Sequence, residues 1–236
     1  MKIYSWSLSQ KALIAVAIIL LPILITFLIG SRSNKKQIEE IVLNDLTVMA
    51  DAYEGQIYQY LEMSERRAED FASDGFIKDR VQETVNHKGG VPPSLQLLNQ
   101  HLIRNKRPLD NAIQDIHILS LNGTIISSTN ISAVNRNLSG EPFFINSKAE
   151  TIVTEGNIVG QPALLISTPI LSRTKMETIG ILVNTVTIHE LNKVLSGKFS
   201  EEMGAISVRK GRLKTTDIYL VNRDKVMITD SIFIKG

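Results

Sequence analysis

The run from Ala12 to Gly30, ALIAVAIILLPILITFLIG, contains no charged residue and constrains the chain more than any other feature. As a helix rising about 1.5 Å per residue it reaches about 28 Å, close to the hydrocarbon thickness of a bilayer. A buried core helix is a poor alternative, because the run is apolar on every side. A cleaved signal peptide is another, but the run exceeds the usual apolar region of ~7–15 residues. The following Gly30-Ser31-Arg32-Ser33 is also a weak match to a small-residue cleavage site. The expectation is an uncleaved anchor over 12–30, with Pro22 tolerated as it is in other membrane helices. The flanking charges, Lys2 and Lys11 before and Arg32, Lys35 and Lys36 after, do not vote for an outside C-terminal part.

The remainder has the composition of one or two ordinary globular domains. A net charge of +2 over 236 residues makes no case for a nucleic-acid partner. The absence of cysteine excludes disulfides, thiolate metal sites and cysteine nucleophiles.

From Ile38 to about Val81 the spacing predicts one long helix or two consecutive ones. Val42, Leu46, Met49, Tyr53, Ile57, Tyr60, Ser64, Ala68 and Phe71 fall three or four apart and form one mostly apolar stripe. Such a helix is either a dimerising stalk or a helix packed on its own domain. His87 to Pro93 is a breaker cluster, and a shorter helix follows with Leu95, Leu98 and Leu102 on one face. The period then changes. Ile116–Leu121 and Thr124–Ser128 flank Asn122-Gly123, a two-residue hairpin signal. Ala163–Leu171 and Thr178–Thr187 read as strands joined by a turn at Ser172–Lys175, and His189–Leu195 as a short helix stopped near Gly197. Asp217–Asn222 and Val226–Thr229 make a second strand–turn–strand, which rhymes with the first.

Four stretches, in this order, resemble the double Cache sensor domain, in which two PAS-like modules hang from one long N-terminal helix. DIHILSLNGTIISS at Asp115–Ser128 is similar to the first hairpin of the membrane-distal module. Leu138–Phe144 is similar to the segment bearing an Arg-x-aromatic-aromatic element. QPALLISTPI at Gln161–Ile170, followed by Ile179–Val183, is similar to the last two central strands. DIYLVNRDKVMITDSIFI at Asp217–Ile234 is similar to the opening hairpin of the membrane-proximal module.

The resemblance implies an α+β fold: a transmembrane helix, a long stalk helix, a PAS-like antiparallel-sheet module and the start of a second. The corresponding divisions are a cytoplasmic 1–11, the span 12–30, a stalk 31–82, the distal module 83–200 and the beginning of a proximal module at 201–236. It also implies an extracytoplasmic, periplasmic sensor held in the inner membrane, a homodimer formed through the stalk, and a small-molecule ligand. Such domains serve bacterial sensor histidine kinases, methyl-accepting chemoreceptors and diguanylate cyclases. The chain is accordingly expected to be the N-terminal part of a larger receptor, with its output module and second membrane helix beyond it.

In the amino-acid-binding subset of the family an Arg grips the ligand carboxylate. Glu141 stands at that position here, and Thr187 stands where the subset has an Asp for the ligand ammonium. The resemblance therefore does not imply an amino-acid receptor. Phe143 and Phe144 keep the aromatic wall. Glu141 offers a carboxylate to a cationic ligand such as an amine, the alternative being a solvated loop acid. Ser167, Thr168, Thr185 and Thr187 offer hydroxyls, or are ordinary strand residues.

The four histidines, His87, His101, His117 and His189, are too scattered for a metal motif. The basic run Arg209, Lys210, Arg212 and Lys214 reads as a solvated linker. Asn122, Asn130 and Asn137 each open an Asn-x-Ser/Thr triplet of the kind that recurs by chance. With no P-loop, no GxSxG elbow and no nucleophile–base arrangement, neither an enzyme nor a cofactor is expected. An anchored interaction protein with a coiled-coil stalk is the competing expectation.

Overall fold

The computed structural model describes residues 7–87, 92–158, 160–196, 217–229 and 231. The chain divides into two compact units, Met1–Ala52 and Tyr53–Gly236.

The first unit is helical. It is the leading part of α1, a 66-residue helix from Leu8 to Ser73. Leu8–Phe27, 20 residues, is long and apolar enough to cross a membrane. Pro22 brings no N–H to this stretch, and Thr26 Oγ1 donates to the carbonyls of Pro22 and Ile23. Further along, Ile38, Ile41, Val42 and Leu43 are exposed.

The second unit begins in α1 and is α+β. Helix α1 stops at Ser73 because Asp74 leaves helical geometry and caps the next helix, α2 (Gly75–Asn86). Its Oδ1 accepts from the amides of Phe76 and Ile77 at 2.8 and 3.2 Å. Of the two readings of the sequence, one long helix or two, the chain takes the second. Helix α3 (Pro93–His101) follows, extended by a π-helical turn at Leu102–Lys106 and a 3₁₀ turn at Arg107–Leu109. That extension returns Lys106 to the joint, where its Nζ lies 2.6 Å from Asp74 Oδ2 and 5.3 Å from the centre of the Phe71 ring.

Five antiparallel strands follow: β1 (Ile113–Leu119), β2 (Ile125–Ser128), β3 (Ile152–Gly156), β4 (Ala163–Leu171) and β5 (Thr178–Thr187). Their order is β2-β1-β5-β4-β3, so β5 is central. The short helix α4 (Pro142–Asn146) precedes β3, and α5 (Ile188–Leu195) follows β5. The β1–β2 connection differs from the two-residue hairpin that Asn122-Gly123 predicts. Ser120 N bonds to Thr124 O, which leaves three loop residues, and Gly123 occupies the left-handed region at φ +83°. A Cβ there would lie 2.5 Å from the Ser139 backbone, and Leu138 N donates to Gly123 O at 2.8 Å. The turn thus fixes the segment that leads into α4.

Two cores share the sheet. On one face α1, α2, α3 and α5 cover Ile116, Ile118, Leu164, Ile166, Leu182 and Val186 with Phe71, Ile77, Leu98 and Leu191. Each such side chain, fully buried, contributes about 1.5–3 kcal/mol. On the other face Leu119, Ile125, Leu165, Ile181 and Val183 meet Leu138, Phe143, Phe144 and Ile158. Between Asp217 and Thr229 a small hairpin forms, closed by a bridge between Val221 and Met227. The basic run Arg209–Lys214, the helix stop at Gly197 and, apart from Ser231, the remainder of 201–236 lie outside the described residues.

The α1–α2 joint combines a cap with a half-buried ion pair. Burial alone would raise the Asp74 carboxyl, but the Lys106 ammonium and the amides of Ile77 and Phe76 together hold it below its ordinary value. Asp74→Ala is expected to destabilise the second unit by about 2–3 kcal/mol, since it removes the cap and leaves Lys106 unpaired. Asp74→Asn, which keeps a capping oxygen, should lose less. Urea unfolding in micelles measures both, and equal losses would mean that the cap contributes nothing.

Candidate functional site

Strand pairing decides which side chains meet on the sheet face opposite the helices. His117 pairs with Val183, Val183 with Ser167, and Ser167 with Ile152, so these four form one cross-strand row. The next row is Asp115, Thr185, Leu165 and Thr154. Directly paired antiparallel residues point the same way. The two rows therefore share the face that carries Leu165 and Val183, and with it Phe143 and Phe144.

A bulge at Gln114 permits this arrangement. The register shifts between Ile113 and Asp115, so Ile113 packs among the helices while Asp115 faces the other side. A second irregularity in β2 sends Ser127 toward α3 and Ser128 toward His117.

Of the residues proposed from sequence, four come together. Phe143 and Phe144 are both buried on α4, with Lys148 Nζ 4.7 Å from the centre of the Phe144 ring. Ser167 and Thr185 are buried, and neither Ser167 Oγ nor Thr185 Oγ1 has a hydrogen-bond partner among the described residues. Thr187, one alternation further along β5, lies partly exposed on the same side at the start of α5. Thr168 points to the helices, where its hydroxyl shares a 2.8 Å hydrogen bond with Thr151, itself a donor to Glu69 on α1. Glu141 is exposed at the N-terminal end of α4 and its side chain makes no capping bond.

Sequence reasoning passed over three residues of this face: His117, Ser128 and Asp115. His117 is completely buried, with Nδ1 2.8 Å from Ser128 Oγ and Nε2 without a partner among the described residues. Ser128 Oγ also accepts from Asn130 N at 2.9 Å. Asp115 accepts from Thr129 Oγ1 at 3.0 Å and, at 3.5 Å, from Asn130 Nδ2. The readable signal was alternation: Asp115 and His117 occupy one face of a strand whose Ile116 and Ile118 occupy the other. Among the described residues no three His, Cys, Asp or Glu side chains gather where they could hold a metal ion.

Burial pushes the His117 imidazole down to about 4; nearby Asp115 opposes that shift and Arg136 adds to it. The ring is therefore neutral through the physiological range. It shares with Phe143 and Phe144 a largely apolar sheet face, on which three polar atoms have no partner among the described residues. Such a setting suits orientation of a small polar molecule rather than bond-making chemistry.

The architecture of much of the chain matches solved structures. The sensor domain of the V. cholerae histidine kinase DctB superposes with a TM-score of 0.55 at 18% identity, over 66% of this chain and 59% of that one. The ligand-binding domain of the Pseudomonas fluorescens chemoreceptor CtaA, in complex with L-serine, gives 0.51 at 14% identity, over 81% and 73%. Its complex with L-alanine gives 0.51 at 13% identity, over 79% and 71%. The chain shares the fold of these two domains. It spans 59% of the length of the DctB sensor domain. Both neighbours are sensor or ligand-binding domains rather than catalytic ones. No protein-family model matches the chain, and no curated protein matches it. Glu141, which the resemblance alone sets at the position of a ligand-gripping Arg, stands in solvent.

His117 gives the fold a pH dependence of known sign. Its pKa is about 4 when folded and near 6.5 when unfolded, so the unfolded chain binds more protons between those values. Its contribution is whole above about pH 6.5 and is lost as pH falls toward 4, by at most about 3 kcal/mol. Melting temperatures between pH 4 and 7 should therefore fall more steeply for the native chain than for His117→Gln. Parallel profiles would show that His117 is not a buried neutral group.

Proposed function

We propose that this chain is the extracytoplasmic small-molecule-sensing part of a transmembrane signal-transduction receptor. The reading places the membrane anchor within the apolar start of α1, the stalk at 31–82, the ligand-binding distal module at 83–200 and the onset of a proximal module at 201–236. It places the second unit in the periplasm. The observation that carries it is the sheet face on which His117, Ser167 and Thr185 each have a buried polar atom with no partner among the described residues, the face that also carries Phe143 and Phe144. Buried polar groups are ordinarily satisfied, and three exceptions in two adjacent rows suit a ligand that supplies the missing partners. The likeness in fold to DctB and CtaA supports the sensory role, and the CtaA complexes are with small amino acids.

Glu141 and Thr187 lack the charges of the amino-acid-binding subset, so the ligand need not be an α-amino acid. The exposed Ile38, Ile41, Val42 and Leu43 on α1 support a homodimer through the stalk. Signalling requires that ligand favour one arrangement of that dimer over another, since equal affinity for both transmits nothing.

A thermal-shift screen of the whole chain in micelles against small metabolites tests the reading. At least one compound is expected to raise the melting temperature by several degrees, with Ser167→Ala and Thr185→Val each reducing the shift. A screen without any stabilising compound would remove the sensory reading and favour an anchored interaction protein.

A further inference from the structure

The three unpartnered groups of the candidate site are not equivalent. A serine or threonine hydroxyl both donates and accepts, and rotates to suit whatever it meets. Ser167 and Thr185 therefore set a position for a ligand without setting its polarity. A neutral imidazole is different, because its Nε2 is a donor or an acceptor according to where the single ring proton resides.

The neighbours of His117 decide that question. Ser128 Oγ has one proton to give, and it already accepts the amide of Asn130. No other acceptor for that proton stands among the described hydrogen bonds of Ser128, which is completely buried. If His117 Nδ1 donated to Ser128 Oγ, the serine proton would be left buried without an acceptor, at a penalty of about 1–3 kcal/mol. The satisfied arrangement has Ser128 O–H donating to Nδ1, which places the ring proton on Nε2. Ser128 is itself held by Asn99, whose Oδ1 accepts from the Ser128 amide at 3.0 Å, so the relay starts from a fixed backbone.

We infer that His117 Nε2–H is the specificity-determining donor of the site, and that the ligand meets it with an oxygen acceptor, a carbonyl or a carboxylate. Two strand spacings separate His117 from Ser167, about 10 Å, with Val183 between them. A molecule presenting an oxygen at one end and a second polar group at the other spans that row, with its apolar middle over Val183 and against Phe143 and Phe144. Its oxygen is accepted by an uncharged donor, so recognition needs no arginine. This inference rests on the sensory reading above and adds the chemistry of the ligand to it.

Ring-¹⁵N-histidine labelling of the whole chain in micelles tests it, with His117 assigned by comparison with His117→Gln. The native spectrum should show the Nε2–H form. Acetamide and acetate, a carbonyl and a carboxylate probe, are each titrated, with methylammonium as a donor-only control. Movement of the Nε2 proton by either oxygen probe, and not by methylammonium, supports the inference, and the stronger of the two identifies the carbonyl or the carboxylate as the source. For any metabolite found by thermal shift, His117→Phe should bind about tenfold more weakly, whereas His117→Gln, which keeps an N–H donor, should bind nearly as the native chain. An Nδ1–H form, a response to methylammonium alone, or no response to either oxygen probe would overturn the inference. A stabilising metabolite that leaves the His117 signals unmoved would overturn it as well, while leaving the sensory reading intact.

Discussion

The second unit depends on the two-sided burial of β5. Eight of its ten residues are buried, and it pairs with β1 along one edge and β4 along the other. Because successive side chains point to opposite faces, Leu182 and Val186 join the helix-side core while Ile181 and Val183 join the core around Phe144. A register slip of one residue would exchange the two sets. The position of every other group follows from this strand, including which hydroxyls of β4 and β5 lie under α4.

The site so formed is unusual in how it treats charge. Its buried aromatic wall and neutral imidazole make a low-dielectric setting, in which hydrogen bonds are stronger and unpaired polar atoms more costly than in water. Asp115 is a buried carboxylate on this face and is satisfied by the side chains of Thr129 and Asn130 rather than by a cation. Glu141, the acid that sequence reasoning put forward, lies in solvent and leaves the interior uncharged at that point. Discrimination in such a place comes from donor and acceptor geometry more than from ion pairing.

Much of this was legible in the residues. The long apolar run, the helical stripe ending near Phe71, and the β-branched runs at 163–171 and 178–187 each carry a period that matches one element. Strand β3 was not anticipated, because ETIVTEG is short, lies at the sheet edge and is only half buried, so its alternation is weak. The hairpin at Asn122-Gly123 was located but its loop length was not, since the same glycine serves a two- or a three-residue turn. At the site, strand alternation separates Thr168 from Ser167, but only once it is known which face the helices cover. His117 was considered for metal chemistry and set aside. Its importance depends on Ser128, eleven residues on, and on a bulge that no propensity marks. Asn184 shows the same limit: a polar residue within an apolar strand reads as surface, yet it is buried among the helix-side residues Ile116 and Ile166.

Ser128 touches both layers at once. Its amide is held by Asn99 of α3, and its hydroxyl meets the His117 ring on the opposite side of the sheet. The helix layer and the candidate ligand face are thus joined like two springs in series through a single residue, by directional bonds rather than by oil-like contact. Hydrocarbon packing tolerates small sliding, whereas a hydrogen bond weakens steeply when its angle is lost. The hydrogen bonds that set the orientation of the imidazole thus share a residue with those that seat α3 on the sheet.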